Sequence, residues 1–182
     1  TVTLLKDVPA ADAQYSVSNK SFTLDLNNYS IDGTRYFTLY INRYGEPVDV
    51  TIKNGTIRNT WNEADNGPLG VAVWANQNVN LTLDNVVLEA AEAPGGKQSF
   101  GLRIGNASGN TSNPSVTIKG EDTEIAGATA GISVIGNGAS AVSSLTLEAG
   151  TVSGSDFGIV GNGDCDGTSI EIKGGTVRST SK

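Results

Sequence analysis

One short pattern recurs six times along the chain: apolar–polar–apolar, a turn, then another apolar residue. Its anchors are Leu26, Ile52, Leu83, Ile118, Leu147 and Ile172, spaced 25 to 35 residues apart. In five repeats the next apolar residue follows the anchor by five positions, as Ile57 follows Ile52. In the fourth it falls at Ile125, seven on, which reads as a two-residue insertion. Between these segments lies a second motif, seen at Gly70-Val71-Ala72-Val73, Gly101-Leu102-Arg103-Ile104, Gly131-Ile132-Ser133-Val134 and Gly158-Ile159-Val160. Asn76, Asn106, Asn137 and Asn162 come soon after, and Asn42 begins the same file.

A unit this short cannot bury its own apolar face, but stacked copies can. The repeat therefore predicts an all-β fold, a right-handed parallel β-helix of about six rungs. It forms a single domain over residues 1–182, with an Asn column in one turn. A β-sandwich would show hairpin turns at even spacing, and a propeller blade would be longer, roughly 40–50 residues. Alternation points Leu24 and Leu26 inward and Thr23 and Asp25 outward. Asp25 then heads an outward column continued by Thr51, Thr82, Thr117, Thr146 and Glu171. The asparagines suit buried turns because a side-chain amide satisfies stranded backbone groups and tolerates the left-handed conformation. Thr1 to Val8 reads as a strand, with a turn or short cap over residues 10–14. The last repeat ends without a visible cap, which reads as one segment of a longer protein.

Composition narrows function. The net charge of −7 argues against a nucleic-acid partner, because phosphate recognition needs a basic stripe. No apolar run approaches the roughly 18 residues of a membrane span, so membrane insertion is not expected. The absence of histidine removes His-based triads and metal sites, and no cofactor is implied. Cys165 has no histidine to activate it and reads as a small, partly buried residue. Paired carboxylates remain possible, since two acids suffice for glycoside hydrolysis.

Three insertions interrupt the repeat, at residues 58–68, 89–99 and 105–113, and functional side chains on solenoids sit on such loops. The first two occupy one place in the rung and should project from one edge. In the first, Trp61 with Arg58 and Asn62 makes a candidate ligand-binding group, in which the indole stacks on a sugar or anchors a protein. Trp74 and Arg103 join this candidate set, although Trp74 also suits turn packing. Asp164 and Asp166, two apart among glycines, are weak candidates for calcium, lacking the full ligand spacing and the terminal bidentate Glu.

Thr1-Val2-Thr3-Leu4-Leu5-Lys6-Asp7-Val8, followed by Lys20-Ser21-Phe22-Thr23-Leu24-Asp25-Leu26-Asn27-Asn28-Tyr29-Ser30-Ile31, resembles a pattern in large cell-surface proteins of Gram-positive gut bacteria. Those proteins are similar to pectin-lyase-type β-helices used as adhesins. The resemblance covers the first 33 residues; beyond them only the rung pattern matches. It implies an extracellular, wall-attached parent with flanking domains in the same polypeptide. The same superfamily includes pectate lyases and polygalacturonases, whose clustered Asp with Arg or Lys, or Asp with Gly-His-Gly, are not found here. The sequence thus predicts a non-catalytic adhesin module, binding a host glycoprotein or glycan through loops on one edge. A polysaccharide lyase or glycosidase is the alternative, and a structural stalk the third reading.

Overall fold

The computed structural model of the chain describes residues 1–62, 67–106, 113–137 and 142–181. Residues 63–66 of the first insertion, residues 107–112 of the third, and Gly138 lie outside the described residues. Strands β1 (Val2–Thr3), β2 (Val8–Ala11) and β3 (Tyr15–Ser18) make the first rung. The predicted cap over residues 10–14 thus falls partly in a strand. β4 (Phe22–Asp25), β5 (Ser30–Gly33) and β6 (Phe37–Asn42) make the second. In the next two rungs the first two strands fuse, giving β7 (Val48–Asn59) with β8 (Leu69–Ala75), then β9 (Val79–Ala90) with β10 (Gln98–Ile104). Two further rungs follow, β11 (Ser115–Lys119), β12 (Glu124–Gly127) and β13 (Ala130–Asn137), then β14 (Ser144–Leu147), β15 (Thr151–Gly154) and β16 (Phe157–Asp164). β17 (Ser169–Ile172) and β18 (Thr176–Ser179) come last.

The chain is a parallel β-helix. A 12-stranded sheet has one arm ordered β1-β4-β7-β9-β11-β14-β17, with β2, β5, β12, β15 and β18 on a second arm that meets it at β7 and β9. A 6-stranded sheet, ordered β16-β13-β10-β8-β6-β3, forms the third face. Equivalent apolar residues stack rung upon rung. Leu24, Ile52, Leu83, Ile118, Leu147 and Ile172 share one file. Ile57, Leu88, Ile125 and Val152 share another, so Ile125 sits where the two-residue insertion places it. Leu39, Val73, Leu102 and Ile132 close the core from the third face.

The register corrects the first repeat by two residues. Leu24, not Leu26, stacks on Ile52, and Thr23, not Asp25, heads the file of Thr51, Thr82, Thr117, Thr146 and Glu171. Leu26 instead seats itself over Gly55, where a Cβ would lie 2.5 Å from the Leu26 Cβ. Asp25 joins a column of alternating charge, stacked on Lys53, Asp84 and Lys119. Its Lys53 and Asp84–Lys119 contacts measure 3.2 and 3.5 Å. The Asn54 amide, the Asn27 N–H and Lys53 hold the Asp25 carboxyl below its ordinary range.

Two glycine files explain much of the motif grammar. The turn joining the two arms runs through the left-handed region in every later rung, at Asn54, Asn85, Gly120, Gly150 and Gly175, with φ between 50° and 92°. Asparagine and glycine are the residues that reach this region at low cost. On the third face Ala72 aligns with Gly101 and Gly131, so Gly70 is not the start of that file. A Cβ on Gly101 or Gly131 would stand 2.7 Å from an atom of the facing arm, which requires glycine there.

The Asn column holds at Asn42 and Asn76, whose buried amides meet at 3.0 Å, and register gives Asn162 a place in it. Gly105 and Ile135 take the places predicted for Asn106 and Asn137. Gly105 has φ of 90° and would put a Cβ 2.4 Å from the Ile135 carbonyl oxygen, so no side chain fits.

Leu83→Ala, at a fully buried site in a central rung, is expected to lower the unfolding free energy by about 2–5 kcal/mol, read from urea midpoints. Gly150→Ala should cost about 1–2 kcal/mol from its left-handed backbone. The crowding of Thr123 O, 2.4 Å from the added Cβ, adds to that. Unchanged midpoints in both variants would remove the stacking described here.

Candidate functional site

The first two insertions do share an edge. Lys97 of the second donates from Nζ to the Gly67 carbonyl at 2.9 Å and lies 4.7 Å from the centre of the Trp61 ring. This contact overturns the exposed platform predicted for Trp61, which is only 4 % exposed. The cause is local. Asn59 accepts from the Trp61 N–H and donates to the Arg35 carbonyl, drawing the loop inward under Lys97. Asn62 is exposed next to it. Arg58 is held by two carboxylates, donating to Glu89 at 2.7 Å and to Asp32 at 3.5 Å on adjoining rungs. Glu89 foremost raises the Arg58 pKa. A cavity of about 340 Å³ opens beside this group, floored by Ala126 and Ala128.

Trp74 and Arg103 come together as cross-rung neighbours on the outside of the third face. The guanidinium lies over the indole at 4.6 Å from its centre. Trp74 also packs edge-on against Tyr40, with 5.4 Å between ring centres, and donates from Nε1 to the Gly105 carbonyl. Phe37 completes the cluster, 5.2 Å from Tyr40. Burial raises the Tyr40 hydroxyl pKa and pushes the Arg103 guanidinium down to about 10. Arg103 Nε and Nη1 are buried without a hydrogen-bond partner among the described residues. Arg103, Tyr40 and Phe37 all pack on the part-buried indole, so this pair serves packing.

The sequence reading missed a further groove. At the turns leading from the third face back to the first arm, a groove of about 540 Å³ is lined by Arg43, Tyr44, Glu46, Gln77, Asn78 and Asn113. The turns come from three successive rungs and are pinned to one another. The Tyr44 N–H and Arg43 Nη1 both donate to Asn19 Oδ1 at 3.1 Å. Asn78 donates to the Gly45 carbonyl at 2.8 Å and accepts from the Asn113 N–H at 3.2 Å. Arg43 Nε also donates to the Glu46 carbonyl at 2.7 Å, so the guanidinium braces its own turn. Tyr44 stands above this frame at 66 % exposure. The signal was present in Tyr44-Gly45-Glu46-Pro47, an aromatic at the tip of a turn whose glycine has φ of 98°. No insertion flagged it.

Asp164 and Asp166 lie exposed at the same vertex several rungs away, where Asp164 Oδ1 accepts from the Asp166 N–H. Among the described residues, no group of three or more His, Cys, Asp or Glu is placed to hold a metal ion. The Cys165 thiol is half-buried against the Val134 and Asn162 carbonyls. The chain matches no family model, no curated protein and no solved structure.

Because Arg103 keeps its proton to higher pH when unfolded than when folded, its burial costs stability below about pH 10, and that cost is relieved as pH rises further. At pH 7, Arg103→Leu is expected to hold or raise the thermal midpoint. A clear fall would show that the guanidinium stabilises the fold through its contact with Trp74.

Proposed function

We propose that the chain is a non-catalytic glycan-binding module of a bacterial surface adhesin, and that its ligand lies in the groove under Tyr44. The observation that carries this is a two-thirds-exposed tyrosine over a wide groove rimmed by amide side chains. An aromatic face gives a sugar ring a large, rigid contact at low entropic cost, and amides and carboxylates supply directional hydrogen bonds. The three pinned turns prepay ordering that a flexible loop would lose on binding. Three rungs at strand spacing give a groove length of ~10 Å, about two sugar rings. The resemblance over the first 33 residues supports an extracellular setting on a Gram-positive cell, with other domains of the polypeptide alongside.

A second reading, polysaccharide cleavage, is favoured by one observation: Asp32 and Glu89 bracket Arg58 beside a cavity. Against it, both carboxylates are engaged by that arginine.

A glycan array followed by titration calorimetry tests the proposal. Tyr44→Ala should weaken binding at least about tenfold, a loss of ~1.4 kcal/mol. Trp61→Ala should lower stability yet leave the affinity of the folded protein unchanged. Binding indifferent to Tyr44→Ala would sink the assignment. New reducing ends or unsaturated products from acidic polysaccharides, abolished by Arg58→Ala, would replace it with the lyase reading.

A further inference from the structure

We infer that the groove takes an uncharged saccharide, laid along the solenoid axis, and that Glu46 rejects carboxylated and sulfated sugars. This rests on the glycan reading above. What the groove can offer a ligand depends on which of its polar groups the frame already uses. Asn78 has its amide on the Gly45 carbonyl and its oxygen on the Asn113 N–H, so it is part of the frame. Asn113, itself exposed, accepts from the Val142 N–H at 3.4 Å, and among the described residues its amide nitrogen donates to none. Arg43, the one cation among the described residues of the groove lining, spends Nε and Nη1 on Glu46 O and Asn19 Oδ1. Turning it toward an anion would break the bonds that hold the turn.

Glu46 differs. Its backbone carbonyl is used by Arg43, but its exposed side-chain carboxylate makes no hydrogen bond or ion pair with the described residues. A carboxylate is an acceptor only, and vicinal sugar hydroxyls are donors that fit its two oxygens. The same group repels an incoming carboxylate or sulfate, while Arg43, fixed by Nε and Nη1 to its own turn and to Asn19, is not free to swing onto the anion. Specificity then arises from a repulsive element as much as an attractive one. The net charge of −7 adds a long-range bias in the same direction. The run of the groove across turns of three rungs sets the ligand's direction along the axis.

The test is calorimetry of the whole chain with neutral oligosaccharides and with carboxylated or sulfated oligosaccharides of matched length. The parent should bind the neutral set and show little heat with the acidic set at low salt. Glu46→Gln, an exposed change that leaves the thermal midpoint in place, should weaken neutral binding about tenfold and admit the acidic set. Equal affinity of the parent for both sets, or an unaltered profile in Glu46→Gln, overturns the selectivity. If Tyr44→Ala abolishes binding while Glu46→Gln changes nothing, the groove stands and only the role of Glu46 falls. If Tyr44→Ala is silent, or neither set binds the parent, the glycan reading falls and this inference with it.

Discussion

Strands of the inner rungs find their parallel backbone partners in the rungs before and after, and those of the end rungs in the one rung beside them. That single constraint dictates the rest. A rung alone has three short strands and an apolar side it cannot hide. Placed in register, Ile52 lies on Leu83 and Ile57 on Leu88, and a continuous apolar core appears from units that have none. Register also decides which residues each turn tolerates. The inter-arm turn takes asparagine or glycine because its backbone is left-handed, and the third face takes glycine where it nears the opposite arm.

The fold was legible because its signal is repetition, and repetition survives local ambiguity. The apolar files, the Ile125 insertion and the shared edge of the first two loops all follow from spacing. Where the reading failed, it failed by small offsets. Leu26 was aligned with Ile52 because both end an apolar–polar–apolar triplet. In the folded chain Gly55 clears a seat for Leu26 and shifts the match to Leu24. Asn106 was aligned with Asn76 by proximity, although Gly105 takes that place in the ladder.

The site was less legible than the core, for a physical reason. Exposure of a side chain on a loop depends on what folds over it, and sequence patterns do not carry that. Trp61 had the composition of a binding residue, yet Asn59 and Lys97 turn it into packing. Trp74 and Arg103 were both singled out, and adjacent rungs bring them together, but the guanidinium lies on the indole it was expected to leave open. Tyr44 drew no notice because it sits in a short turn of regular length. Its exposure follows from inter-rung hydrogen bonds through Asn19 and Asn78, which link residues more than twenty positions apart.

The column Asp25, Lys53, Asp84, Lys119 changes sign at each step, and Glu148 and Lys173 follow next along their strands. Such a file has parity. Deleting or duplicating one coil would set two carboxylates or two ammonium groups face to face, and like charges directly opposite across strands are destabilising. Removing or adding two coils keeps the alternation whole. Change in the length of this molecule is therefore expected to go most easily in even numbers of coils, a counting rule written in side-chain charge.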